Sequence, residues 1–160
     1  MSYLDDWIDD RDDRRDQRLR QLGTRTPCCQ RCPEADPFAL CGIHPNLLCY
    51  ECLAEDQNRP RVEGHHVSGK ANDPDDIVEL PGNDHRSTSA GQLGWPTRTL
   101  RNPDGSPLLR AAAATRGWLE ILALILDRSI GWIPAFLEWL DDALRTALGA
   151  EWWKTLGWEG

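Results

Sequence analysis

The 160-residue chain is poor in several residue types, and each shortage narrows the class of protein. It has two phenylalanines, two tyrosines and one methionine beside eight tryptophans, which is an uneven aromatic usage. It has 18 lysines and arginines against 26 acidic residues, so that its net charge is −8. This balance argues against a broadly basic surface for nonspecific nucleic-acid binding, although it leaves room for a local basic site.

The chain also lacks a long hydrophobic run and a basic leader at its start. The longest strongly apolar stretch, 121–126, is far shorter than the roughly 20 residues that a helix needs to span a bilayer. The first residues are acidic where a secretory leader would be basic. We therefore expect a cytoplasmic protein with no membrane partner, in which the cysteines ligate metal rather than form disulfides.

The first 26 residues form a densely charged segment. Seven aspartates and five arginines lie between Asp5 and Arg20, in runs of alternating sign. This pattern is typical of a solvated helix that carries ion pairs one turn apart. We expect residues 1–26 to form an exposed or frayed helix or a flexible arm. The alternative is a docking arm anchored by Trp7 and Ile8.

Two C-x-x-C pairs, separated by sixteen residues, follow this segment. The four cysteines are Cys29, Cys32, Cys49 and Cys52. The spacing predicts a closed four-thiolate zinc site that stabilises the fold and does no chemistry, with backbone N–H groups directed at the sulfurs and the intervening residues looping out. Cys28 could compete with Cys29 for the metal, and Cys41 with His44 could supply half of a second site.

Three of the four histidines lie between residues 62 and 86. Residues 61–67 predict a short strand, on which the adjacent His65 and His66 point to opposite faces. A loop and a second short strand over 77–80 follow. Asn83 or Asp84 can then cap a helix that begins near His85. The predicted order is strand, loop, strand and helix.

This window resembles the ββα-metal motif of the HNH endonucleases. The family pattern H-H-v-x-G-[RK]-x-N-D-P … v-x-L-x-x-N-x-H-R is matched from His65 to Arg86. The resemblance implies an α+β fold, with a small zinc-stabilised nuclease module over residues 27–92. It also implies hydrolysis of phosphodiester bonds in DNA, with a divalent cofactor that is Mg2+, Mn2+ or Zn2+.

The resemblance further implies a role for individual residues. His66 would be the general base that activates water, while His65 and His85 would ligate the divalent ion. Lys70 and Arg86 would contact neighbouring phosphates. The family's central asparagine would lie at position 76, which is an aspartate here. Asn83 is the asparagine nearest to the helix histidine His85 in the sequence, and we take it as the candidate for orienting the base.

The chain departs from the family pattern at three further positions. A third metal ligand is expected four residues after the helix histidine, where Ser89 stands. Pro81 and Asp84 replace two cysteines that often precede that histidine, so the upstream cysteines would complete the zinc site as a separate N-terminal unit. These differences keep an alternative open, namely a catalytically degenerate, zinc-stabilised module that binds nucleic acid or protein.

The remaining sequence predicts a linker over 93–107 and a tryptophan-rich helical hairpin within 108–160. The helices are expected over 108–130 and 133–148, because apolar residues recur there at helical spacing. Pro134 suits the start of the second helix, and Gly149 suits its end. Two interpretations stay open: the hairpin packs on itself and on the nuclease module, or it binds a second copy or a protein partner.

Overall fold

The computed structural model describes the backbone of residues 3–155 and 157, and the side chains of residues 12–155 and 157. The chain divides into two compact units, Met1–Ile121 and Leu122–Gly160. The helices are α1 (Tyr3–Leu22), α2 (Tyr50–Asp56), α3 (Gly82–Gln92), α4 (Thr97–Arg101), α5 (Pro107–Ile130), α6 (Ile133–Leu148) and α7 (Trp152–Thr155). The strands are β1 (Leu40–Ile43), β2 (Asn46–Cys49), β3 (Val62–His66) and β4 (Ile77–Pro81).

This mixture of helices with small antiparallel sheets agrees with the predicted α+β class. In the described residues, β1 pairs with β2 and β3 pairs with β4, each as a two-stranded sheet. Within the same residues, no helix has the length and apolar character that crossing a membrane requires.

Helix α1 confirms that the charged segment is helical, but its C-terminal end is neither frayed nor exposed. Leu19 and Leu22 are buried, and Arg18 donates hydrogen bonds to the carbonyl oxygens of Pro37 and Leu40. These two leucines lie in the last turn of the helix, which therefore packs, while Asp12, Asp13 and Asp16 before them are exposed. The side chains of Trp7 and Ile8 lie outside the described residues.

The segment between the two cysteine pairs forms a β-hairpin rather than a loop. Strands β1 and β2 are antiparallel, with Leu40 opposite Cys49 and Ile43 opposite Asn46. Leu22, Leu40 and Leu47 are fully buried beside the cysteines. The hairpin forms because pairing lets these leucines share one apolar cluster with the thiols.

The histidine window adopts the predicted order of strand, loop, strand and helix. Strands β3 and β4 are antiparallel, with His65 opposite Val78 and His66 opposite Ile77. Helix α3 begins at Gly82, three residues earlier than expected. A Cβ at position 82 would lie 2.5 Å from Cδ1 of Tyr50, so the close approach of the tyrosine ring requires glycine at this position.

The segment that carries the four cysteines, called the zinc segment below, was expected to form a separate N-terminal unit. It does not, because α2 and α3 meet at their N-terminal ends. The backbone N–H of Glu51 donates to Asn83 Oδ1 at 3.1 Å, and the N–H of Asn83 donates to Glu51 Oε1 at 3.3 Å. Asn83 Nδ2 also donates to Glu34 Oε2 at 3.1 Å. These bonds join the cysteine-rich segment to the ββα element within one compact unit.

Residues 93–107, which the sequence predicts as a linker, contain three buried residues, Trp95, Thr99 and Asn102. Trp95 is only 3% exposed, and its indole N–H donates to Glu120 Oε1 at 2.7 Å. Helix α4 follows, and its Thr99 carbonyl accepts a bond from Asn72 Nδ2 at 2.9 Å. The glycines and prolines of this segment make tight turns, while the tryptophan and the short helix between them supply the packing.

The second unit contains the end of α5 together with α6 and α7. The bounds of α6 match the predicted 133–148, and Gly149 follows as expected. No residue of α6 is buried, and its large apolar side chains are largely exposed. Trp152 Nε1 donates to Asp141 Oδ1 at 2.8 Å, which holds α7 on α6. The helices thus do not form the expected core within this unit, and a partner surface stays a prediction.

Candidate metal centre and histidine site

The four predicted zinc ligands lie together at the base of the β1–β2 hairpin. The sulfur atoms of Cys29, Cys32, Cys49 and Cys52 all lie within 4.8 Å of one another. The Sγ atoms of Cys32 and Cys49 are 3.5 Å apart. A tetrahedral zinc with bonds of about 2.3 Å places its sulfur ligands about 3.8 Å apart. The cluster can therefore hold a structural zinc.

Backbone N–H groups point at the sulfurs, as the knuckle spacing predicts. Cys29 Sγ accepts from the N–H groups of Arg31 at 3.4 Å and Cys49 at 3.2 Å, and Cys49 Sγ accepts from Cys52 at 3.4 Å. Burial alone would raise the pKa of Cys29, but these donors lower it to about 6. A thiolate is therefore available at neutral pH, in the state that binds metal.

The remaining candidates for metal ligation lie outside this cluster. Cys28 is exposed, and its thiol is directed at the carbonyl oxygens of Cys29 and Cys32. Cys41 is half-buried on β1, and His44 is exposed in the hairpin turn. Across the described part of the chain, the four cysteines are the one group of at least three clustered ligand side chains.

The histidine site lies where α3 packs on β3. The ring centroids of His65 and His85 are 5.4 Å apart, in an edge-to-face arrangement. His65 is 1% exposed, whereas His66 is half-buried. Glu63 and His65 both contact His85, so their face of β3 is the one toward α3. Strand alternation then directs His66 to the opposite face, as predicted.

Glu63 lies at ion-pair distance from one nitrogen of His85 and was not among the predicted site residues. Its Oε2 lies 2.7 Å from His85 Nδ1, and its Oε1 accepts a hydrogen bond from the Tyr50 hydroxyl. Burial opposes ionisation of Glu63, but the Tyr50 bond and the nearby His85 and Arg86 hold its pKa below its ordinary value. The sequence signal was its position two residues before His65, which places both on one strand face.

Gln92 is a second residue that sequence reasoning missed. Its Nε2 lies 3.1 Å from His65 Nε2, and donates to the carbonyl oxygens of His66 at 2.8 Å and Val67 at 2.9 Å. Gln92 follows His85 by seven residues, so two helical turns place both on the face toward β3. The signal was this spacing, which becomes visible only when the helix is known to continue to residue 92.

Asn83, the candidate for orienting the base, and Asp76, at the position of the family's asparagine, have separate structural roles. The Asn83 side chain bonds Glu51 and Glu34, on the side of the zinc segment, and is not brought to the histidine pair. The Asp76 carboxylate accepts from Ser68 Oγ at 2.6 Å, and its carbonyl accepts from the Val67 N–H at 2.9 Å. Asp76 therefore fixes the chain immediately after His66.

The predicted phosphate contacts lie on exposed positions. Lys70 is exposed in the loop after β3. Arg86 is exposed on α3, and its Cζ lies 4.2 Å from the centroid of the Tyr50 ring. Ser89, at the position of the expected third ligand, is half-buried on α3. The site thus brings together His65, His85 and Glu63, with Arg86 beside them.

The burial of His65 predicts a measurable dependence of stability on pH. Burial, followed by the nearby His85 and His66, lowers its pKa to about 4, below the value of about 6.5 for an unfolded histidine. The unfolded chain then binds more protons, so the stabilisation present above pH 6.5 is lost as the pH falls toward 4. From pH 8 to pH 5.5, this difference lowers the free energy of unfolding by about 1.4 kcal/mol.

In the His65→Gln protein, we expect this fall in the free energy of unfolding between pH 8 and pH 5.5 to be absent. Urea unfolding of both proteins at both pH values would measure it. The zinc site is common to both proteins, so comparing their two pH-dependent changes isolates the imidazole. Equal changes in the wild-type and His65→Gln proteins would contradict the prediction.

Comparisons with known proteins leave the site to be interpreted from its own chemistry. Searches against protein-family models, curated proteins and solved structures find no match to this chain. The cysteine cluster and the arrangement around His65 and His85 are the features of the chain that indicate a function.

Proposed function

We propose that the protein is a metal-dependent endonuclease of the HNH type that hydrolyses phosphodiester bonds in DNA. The observation that carries the proposal is the meeting of His65 and His85, with ring centroids 5.4 Å apart, across a strand–strand–helix element. His66 follows on the opposite strand face, as a base separate from the metal ligands would require. The zinc segment supports this element through Glu51 and Asn83.

The residues present fit two ligands of a catalytic divalent ion. His65 and His85 would hold it, and the Glu63 carboxylate at His85 Nδ1 would orient that ring so that Nε2 is the ligand atom. The lowered pKa of His65 keeps its imidazole neutral, as metal ligation requires. When bound, such an ion supplies positive charge for a phosphate oxygen and for the leaving oxygen.

His66 would accept the proton of the attacking water. Its Nδ1 is buried, and no described residue bonds it. The Asp76–Ser68 bond fixes the chain that follows His66, and we assign to Asp76 the positioning role expected of an asparagine. Asn83 would instead orient α3. Lys70 and Arg86 would contact phosphates of the bound strand.

One observation favours a second candidate, a zinc-stabilised binding module without catalysis. Gln92 Nε2 lies against His65 Nε2 and is anchored by the carbonyl oxygens of His66 and Val67. With Ser89 at the third ligand position, this amide could take the place of a metal. The two candidates therefore differ in whether a divalent ion displaces Gln92.

Plasmid nicking and metal binding together test the proposal. Purified protein is incubated with supercoiled DNA in Mg2+, Mn2+ or Zn2+, and we expect nicked circles with at least one of them. Calorimetric titration with Mn2+ should show binding to the wild type that His85→Ala abolishes, while the structural zinc is retained. Absence of both nicking and His85-dependent binding would overturn the nuclease in favour of the binding module.

A further inference from the structure

Two arginines contact the ring of Tyr50, beside the histidine site. The guanidinium Cζ of Arg86 lies 4.2 Å from the ring centroid, and that of Arg59 lies 5.4 Å from it. Arg59 Nη1 also donates to the Tyr50 hydroxyl at 3.5 Å. Tyr50 is buried and bonds Glu63, which holds His85. One side chain thus links both guanidinium groups to the proposed site.

The structure fixes the position of Arg59 through its backbone. The N–H of Arg59 donates to the Ala54 carbonyl at 2.8 Å, in the turn that ends α2. Asn58, just before it, has a left-handed φ of 50°, a conformation that asparagine tolerates better than most residues. The stem of Arg59 therefore starts from a defined turn beside Tyr50.

Arg31 and Arg61, which also lie near α2, form ion pairs with carboxylates, whereas Arg59 and Arg86 form none among the described side chains. Arg61 pairs with Glu55 at 2.6 Å, and Arg31 pairs with Glu55 and Asp56. In the part of the chain with described side chains, no carboxylate lies within ion-pair distance of Arg59 or Arg86. Glu63 acts on Arg86 only at longer range, and its own oxygens contact Tyr50 and His85.

We propose that Arg59 and Arg86, held against the Tyr50 ring, form a phosphate-binding site for the nucleic-acid backbone. Guanidinium groups that stack on an aromatic ring keep their N–H edges free for phosphate oxygens. Both arginines are exposed in an otherwise acidic chain, so the site is local. This inference rests on the proposed function and extends the DNA contact from α3 onto the turn after α2.

The test measures DNA binding by a protein that cannot cleave. His66→Ala protein, without added divalent ions, is titrated into a short fluorescein-labelled DNA duplex at several NaCl concentrations, and anisotropy gives Kd. Adding Arg59→Ala is expected to raise Kd roughly tenfold and to reduce the slope of log Kd against log salt by about 0.9. Adding Arg61→Ala instead, which removes an equal charge two residues away, is expected to change Kd less than twofold.

The outcomes separate this site from the nuclease itself. Equal effects of Arg59→Ala and Arg61→Ala, no effect of Arg59→Ala, or no binding by the His66→Ala protein would each overturn the phosphate site. Native protein that nicks DNA despite such a result would leave the nuclease standing. Native protein that shows neither nicking nor His85-dependent Mn2+ binding, beside an Arg59-dependent affinity for DNA, would support the phosphate site and reject the nuclease.

Discussion

His66→Ala is expected to lower the rate of metal-dependent DNA nicking by about 10²- to 10⁴-fold, which is the usual contribution of a general base. The imidazole is half-buried at the end of β3, and its Nδ1 has no bond to a described residue. Removing the imidazole therefore takes no hydrogen bond at Nδ1 from a described residue. The zinc content and melting temperature should stay near those of the wild type, which places the loss in the chemical step.

His44→Ala is the matched control, because it also removes one imidazole but from an exposed hairpin turn. Nicking by this variant should equal that of the wild type. Initial rates on supercoiled plasmid, with zinc measured by mass spectrometry, compare all three proteins. A His66→Ala protein that nicks at the wild-type rate would show that the base lies elsewhere or that the activity is a contaminant's.

Cys49→Ser is expected to abolish zinc binding and the cooperative unfolding of the first unit. Cys49 is fully buried and caps α2, and its Sγ lies 3.5 Å from the Sγ of Cys32. The apolar cluster around it contains only three leucines that are fully buried. Zinc binding contributes roughly 10 kcal/mol or more to folding in small sites of this kind. The whole free energy of unfolding of a typical domain is about 5–15 kcal/mol, so we expect loss of the zinc to remove most or all of it.

Circular dichroism during heating, with zinc content per chain, checks this expectation. Cys28→Ser is the control, since Cys28 is exposed and lies outside the four-sulfur cluster. It should keep one zinc and the wild-type melting temperature. The zinc assignment would be rejected if Cys49→Ser retained one zinc and melted like the control.

Local spacing made the cysteine cluster and the strand–strand–helix order predictable. A C-x-x-C pair brings its two thiols together through a single turn, so the ligand set follows directly from the sequence. The opposite faces of the adjacent histidines were likewise expected from the period-2 geometry of a strand, whereas the choice of His85 as a ligand came from the family resemblance. Roles carried by the family resemblance, such as the base at His66, remain proposals.

Contacts between distant segments could not be predicted from the same patterns. Glycine is required at position 82, the start of α3, because the Tyr50 ring, 32 positions earlier, occupies the space of a Cβ. Trp95 anchors the expected linker, because its indole N–H donates a hydrogen bond to Glu120 on α5. Asn83 was a catalytic candidate because it lies near His85 in sequence, but its side chain faces Glu51 and Glu34 instead. In each case the side chain contacts a residue that is distant in sequence, and tertiary packing determines which residue that is.

The paired bonds between Glu51 and Asn83 have a consequence for hydrogen exchange. Each backbone amide is closed by the side chain of the other residue, so separation of the two helix ends exposes both amides to solvent. Opening of that contact should therefore exchange both protons at a common rate. Because α2 begins at a zinc ligand and α3 carries His85, releasing the zinc should speed exchange on both helices together.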